Sequence, residues 1–117
     1  MILKVTIYSM LLMMISTQGI AAEVVDIERL ADAIYRAEGG KKASVPYGIM
    51  YKGCDWDNEA YCRKICINTI KNNVKRWQDS GMKKEYLEFL RDRYAPLEHS
   101  KLNANWLKNV RYFYANL

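Results

Sequence analysis

From Val25 onward, apolar side chains return at intervals of three and four, so that Ile27, Leu30, Ala31, Ile34 and Tyr35 share one stripe of a helix facing a core. The next position on that stripe is Glu38. Gly39 and Gly40 follow at once, and glycine's access to the left-handed region makes them a helix stop. A second helix is predicted over about Asn58 to Gln78, opened by the capping types Asp57 and Asn58. Its core face carries Cys62, Ile65, Cys66, Ile70, Val74 and Trp77, and "DSG" at Asp79 to Gly81 ends it. A third, about Lys83 to Tyr94, shows Tyr86, Leu87, Leu90 and Tyr94 on one side and cannot continue past Pro96. A fourth, about Lys101 to Ala115, follows a Ser100 cap and turns Leu102, Trp106, Val110 and Phe113 inward. Between the first two helices, "SVPYGIMYKG" is too short and too rich in Pro and Gly for a helix, and it predicts a small β-hairpin or extended wing. The expected fold is mainly α: about four helices with a short wing after the first.

The start of the chain follows a different pattern. Lys4 precedes a mostly apolar run from Val5 to Ile15, then a short polar stretch and the small residues "GIAA", the layout of a secretory signal peptide cleaved after Ala21 or Ala22. The run is shorter than the ~20 residues a spanning helix needs. This divides the chain into a signal peptide, 1–22, and one small domain, 23–117, exported to the periplasm or beyond the cell, with no membrane span in the mature form.

Export changes how charge is read. The net charge is +5, with most of the basic surplus between Arg63 and Arg111. Outside the cytoplasm such a balance suits a polyanionic envelope polymer, a membrane surface or a partner in a secretion apparatus, and it argues against nucleic acid. The bland alternative is a merely solvated basic face.

Cysteine usage agrees with an oxidising compartment. The chain has three cysteines, Cys54, Cys62 and Cys66, so at most one intramolecular bridge can form. Cys62 and Cys66 are one helical turn apart with nearly parallel side chains, which would strain a bridge between them. Cys54, in the preceding loop, can fold back onto the first turn of the helix. The expected pair is Cys54 with Cys62, leaving Cys66 as a small buried hydrophobe. A zinc site would need a fourth ligand, and the only histidine, His99, lies far along the chain. No metal or cofactor is expected.

Glu38 carries the candidate chemistry. Burial on an apolar stripe, the negative end of the helix dipole and the lack of a cation on that face all disfavour its charged form and raise its pKa. A carboxylic acid that keeps its proton near neutral pH can act as a general acid. The competing arrangement turns Glu38 to solvent, paired with Arg36, Lys41 or Lys42.

"EGG" followed by a turn-rich segment containing "YGIM" resembles the lysozyme-like superfamily, in which a helix ends in the catalytic glutamate and the chain enters a small β region with a Tyr-Gly-Ile-Leu or Gly-Leu-Met-Gln type motif. The matching residues are Glu38 and Gly39, then Tyr47, Gly48, Ile49 and Met50. The resemblance covers about Ile27 to Met50 and implies cleavage of peptidoglycan glycan strands with Glu38 as the acid. Two departures refine it. Pro46 stands where hen-type lysozymes place their second carboxylate, and Tyr51 stands where soluble lytic transglycosylases have glutamine. Asp55 and Asp57 remain as second carboxylates, although Asp57 is more simply a helix cap. Lytic transglycosylases need one carboxyl group only, so the missing aspartate favours transglycosylation over hydrolysis.

The resemblance also suggests supporting residues. Tyr47 and Met50 would line the sugar cleft, and Tyr94 lies where related enzymes bring a tyrosine near the glutamate. Asn103, Asn105 and Trp106 in "LNANW" would offer amide hydrogen bonds and a stacking face, although Tyr94 and Trp106 both sit on apolar stripes and packing is the stronger expectation for Trp106. The opposing functional class is a non-catalytic exported helical module, an inhibitor, an envelope-binding factor or a degenerate lysozyme-like domain. It accounts for the charge and the cysteines but gives no reason for a glutamate on the core stripe.

Overall fold

The computed structural model describes residues 25–98 and 101–117. The segment 1–22 expected as a signal peptide, His99, the expected cap Ser100 and the side chain of Leu102 lie outside the described residues. Four α-helices appear among those described: α1, Ile27–Ala37; α2, Glu59–Asp79; α3, Tyr86–Tyr94; and α4, Trp106–Asn116. Short 3₁₀ turns join them at Gly40–Lys42, Pro46–Gly48, Trp56–Asn58 and Lys101–Asn105. None of the described helices is long and apolar enough to cross a membrane.

Helix α1 is the centre of the packing. Asp26 caps it, accepting the Arg29 amide at 3.1 Å. Leu30, Ala31, Ala33 and Ile34 are buried against α4 and α2. The stripe read from the sequence is the core face, and Glu38 stands at its end. Helix α2, about 30 Å long at 1.5 Å per residue, buries Cys62, Cys66 and Ile70 as expected, and also Asn73, whose Nδ2 donates to the Thr69 carbonyl at 2.8 Å.

The segment after α1 is not a β-hairpin: no strand occurs among the described residues. Pro46 brings no amide to a ladder and starts a 3₁₀ turn, and Tyr47 (φ 60°) and Gly48 (φ 67°) are both left-handed, which extended pairing cannot accommodate. The segment is fixed by other means. The Trp56 indole donates to the Ala43 carbonyl at 2.9 Å, and a Cys54–Cys62 disulfide ties the loop to the first turn of α2. Cys66 is free and buried. The pairing expected from the one-turn spacing is therefore the one found.

Two helices start later than the apolar pattern suggests. Helix α3 begins at Tyr86 rather than Lys83, because the Lys84 carbonyl accepts the Trp77 indole at 2.6 Å and Glu85 is extended (ψ 144°). Helix α4 begins at Trp106, after a 3₁₀ turn over Lys101–Asn105.

Candidate active site

Glu38 is the C-cap of α1. Its amide donates to the Ile34 carbonyl at 2.9 Å, and Gly39 then takes φ 110°, a conformation that needs glycine. The turn leaves the carboxyl half-buried, facing the 3₁₀ turn Pro46–Gly48 and the start of α4. Trp106 donates its indole N–H to Oε1 at 2.9 Å. On the other side is Gly48, so close that a Cβ there would lie 2.3 Å from Oε2.

No ion pair involves Glu38 among the described residues, so the pairing with Arg36, Lys41 or Lys42 is not formed. Burial raises the Glu38 pKa above its ordinary 4.5, and the Trp106 hydrogen bond opposes part of that rise.

A chain of contacts holds this pair in place. Trp106 is buried and stacks on Tyr94, with ring centroids 5.5 Å apart and planes 26° apart. The Tyr94 hydroxyl donates to the Tyr47 carbonyl at 2.6 Å and lies 3.7 Å from the Cys66 sulfur. The Tyr47 hydroxyl accepts from Arg63 at 2.9 Å, and the same guanidinium bonds Asp32 at 2.8 Å and Glu28 at 2.6 Å. Tyr47 keeps its left-handed backbone within this frame, with its ring 5.1 Å from that of Tyr35. Burial is the main cause that raises the pKa of Tyr47 and of Tyr94, and it pushes the Cys66 thiol up to about 12. All three stay protonated and serve as fixed dipoles or packing.

An open groove of about 350 Å³ runs past this assembly, with Gly48, Met50, Tyr51, Thr69, Arg93 and Tyr94 among its lining residues. Glu38 itself is not part of the lining, but Gly48, which is, stands directly against its carboxyl.

The residues singled out from the sequence fall into distinct places. Tyr94 lines the groove and supports Trp106. Met50 lines it too, 87% exposed. Tyr47 turns its ring into the core and contributes through its carbonyl and hydroxyl. Asn105 is the exposed residue before Trp106, at the N-cap of α4 without a side-chain cap bond. The Asn103 amide donates to the Pro96 carbonyl at 2.7 Å.

Asp55, a candidate second carboxylate, accepts the Asp57 amide at 3.0 Å and so caps the Trp56–Asn58 turn. Asp57 is exposed within that turn, and the cap position of α2 is Asn58. Neither aspartate is bonded to Glu38.

Two members of the site were not singled out for their roles in the sequence. Arg63 lies on the polar side of α2, and its triple role depends on α1 packing beside it. Gly48 read only as part of a motif, although a glycine following a proline-initiated turn is the local signal of a close approach. No protein-family model, curated protein or solved structure matches this chain.

Proposed function

We propose that this protein is a lysozyme-like enzyme that cleaves the glycan strands of peptidoglycan, with Glu38 as its single catalytic carboxyl, by lytic transglycosylation. The observation that carries the reading is the state of Glu38. Its carboxyl is half-buried, free of any ion pair among the described residues, held at one oxygen by Trp106 and set directly against Gly48, a residue of the groove wall.

The chemistry follows from those features. A carboxyl with a raised pKa carries a proton at a pH where an ordinary glutamate has lost it. Oε1 is engaged by the indole, so Oε2, the oxygen nearer Gly48, gives the proton to the glycosidic oxygen as the C1–O bond breaks. The resulting carboxylate is stabilised by the same indole N–H. It then takes the proton of the sugar's own 6-hydroxyl while O6 bonds to C1, which closes a 1,6-anhydro ring and restores the acid. No second carboxylate is required, in keeping with the capping role of Asp55 and the proline at position 46. Met50, Tyr51 and Tyr94 supply apolar and aromatic surface on which sugar faces can lie.

The substrate lies outside the cytoplasm, so the reading includes export after cleavage of residues 1–22. Mass spectrometry of protein from its native host should find an N-terminus at Ala22 or Glu23.

Digestion of purified peptidoglycan by the mature protein tests the activity. Products ending in 1,6-anhydro sugar are expected. Reducing ends would instead select hydrolysis and direct attention to Asp55. Intact glycan across pH and several peptidoglycan types would favour a non-catalytic envelope-binding module.

A further inference from the structure

A second cavity, about 420 Å³, lies between the C-terminal half of α2, the loop after it and α3. Its walls carry four cations, Arg76, Lys83, Lys84 and Arg93, against one acid, Asp92. Asp92 is bonded to Lys84 at 3.0 Å and to Arg91 at 3.3 Å, and these partners lower its pKa. Arg76, Lys83 and Arg93 form no ion pair among the described residues. Three positive charges thus line one space without a paired carboxylate, a local excess that favours the entry of an anion.

The lysines stand on a backbone held in place. The Trp77 indole bonds the Lys84 carbonyl at 2.6 Å, and the Met82 amide bonds the Trp77 carbonyl at 3.1 Å. Met82 itself takes φ 55°, a conformation non-glycine residues rarely adopt. The loop is thereby folded back so that Lys83 and Lys84 enter the same cavity as Arg76.

This cavity lies in line with the groove beside Glu38. Ile65 and Thr69 line the groove, and Asn73, Arg76 and Ser80 line the cavity. The first four of these positions recur at intervals of three and four on one face of α2, and Ser80 is the C-cap that follows it. Arg93 lines both spaces. Thr69 and Arg76 are separated by about 10 Å of helix at 1.5 Å per residue, so an extended ligand lying along α2 would meet both.

We infer that this cavity is an oxyanion subsite that binds a carboxylate of the peptide substituents borne by the glycan strand, anchoring the strand in the groove beside Glu38. The inference rests on the glycan-cleaving reading above. Guanidinium groups suit carboxylates because they donate in a fork that matches two oxygens, and an apolar wall such as Phe89 suits the aliphatic part of a peptide. A phosphate on an anionic wall polymer has similar oxyanion chemistry and is distinguished by experiment.

The probes are glycan tetrasaccharides carrying peptides with free carboxylates, the same peptides as methyl esters, or no peptide. Binding is measured by calorimetry to the full mature chain bearing Glu38→Gln, with and without Arg76→Ser and Lys83→Ser. These two side chains are exposed and without ion-pair partners, and Arg93 is spared because it also lines the groove. The free acid should bind about ten-fold more tightly than the ester, the scale of one charge-assisted hydrogen bond. The double substitution should erase that difference and leave the peptide-free strand unchanged, and inorganic phosphate at millimolar level should not displace the acid. Equal binding of acid and ester, an undiminished acid preference after the double substitution, or full displacement by phosphate would each overturn the inference. Failure of the enzymatic reading shows separately, as peptide-free strands that the protein bearing Glu38 leaves uncleaved.

Discussion

Gly48 approaches the Glu38 carboxyl so closely that an added Cβ would stand 2.4 Å from its Cδ and 2.3 Å from Oε2. The backbone there is also left-handed, at φ 67°. Gly48→Ala should therefore act twice. The left-handed conformation should cost about 1–2 kcal/mol of stability, read by urea unfolding. The displaced carboxyl should also lose its bond to Trp106, lowering glycan cleavage on the order of 10²-fold at equal folding.

Trp106→Phe separates the hydrogen bond from the packing. Phenylalanine keeps a ring against Tyr94 but removes the N–H that lowers the Glu38 pKa. The pKa of Glu38 should rise further. Activity that needs the protonated acid is lost as pH rises through that pKa, so the alkaline limb of the kcat/KM profile should move to higher pH in the variant. An unchanged limb would mean that Glu38 is not the titrating acid.

The same raised pKa has a consequence for stability. The folded state holds Glu38 above its ordinary 4.5, so over the interval between that value and the folded one the native protein binds more protons than the unfolded chain. Stability from this group is full below the unfolded pKa and is lost as pH rises through the folded pKa. Glu38→Gln abolishes the titration. Its melting temperature should gain on that of the wild type as pH rises above the ordinary carboxyl value of 4.5 and through the raised folded pKa, measured by calorimetry in matched buffers.

The disulfide closes a short loop, Cys54 to Cys62, eight positions apart. Replacing both cysteines with serine should cost roughly 2–3 kcal/mol in the chain-entropy picture. Alkylation of the native protein should leave Cys66 unmodified, since its thiol is buried with a pKa pushed up to about 12. Peptide mapping without reductant should recover the Cys54–Cys62 link alone.

Much of the fold was legible because it follows from periodicity. The stripe from Ile27 to Tyr35 and the one from Cys62 to Ile70 are local signals that packing then satisfies. The C-terminal position of Glu38 followed from the two glycines after it. The wing was misread because Pro and Gly announce a break without stating which turn follows, and the left-handed Tyr47 depends on partners from α1, α2 and α3 that no local window contains. Trp106 read as a core residue and is one. Its indole N–H also reaches a carboxyl 68 positions earlier, a pairing that only the packing of α4 on α1 reveals.

The rate of glycan-strand cleavage by the mature protein, compared with that of Glu38→Gln at equal folding and equal glycan binding, tests the central claim most directly. The amide preserves the shape of the side chain and an acceptor for the Trp106 indole but carries no transferable proton. General acid catalysis typically contributes 10²- to 10⁴-fold, and a loss of about that size or greater is expected. Cleavage by Glu38→Gln at the wild-type rate would contradict the account.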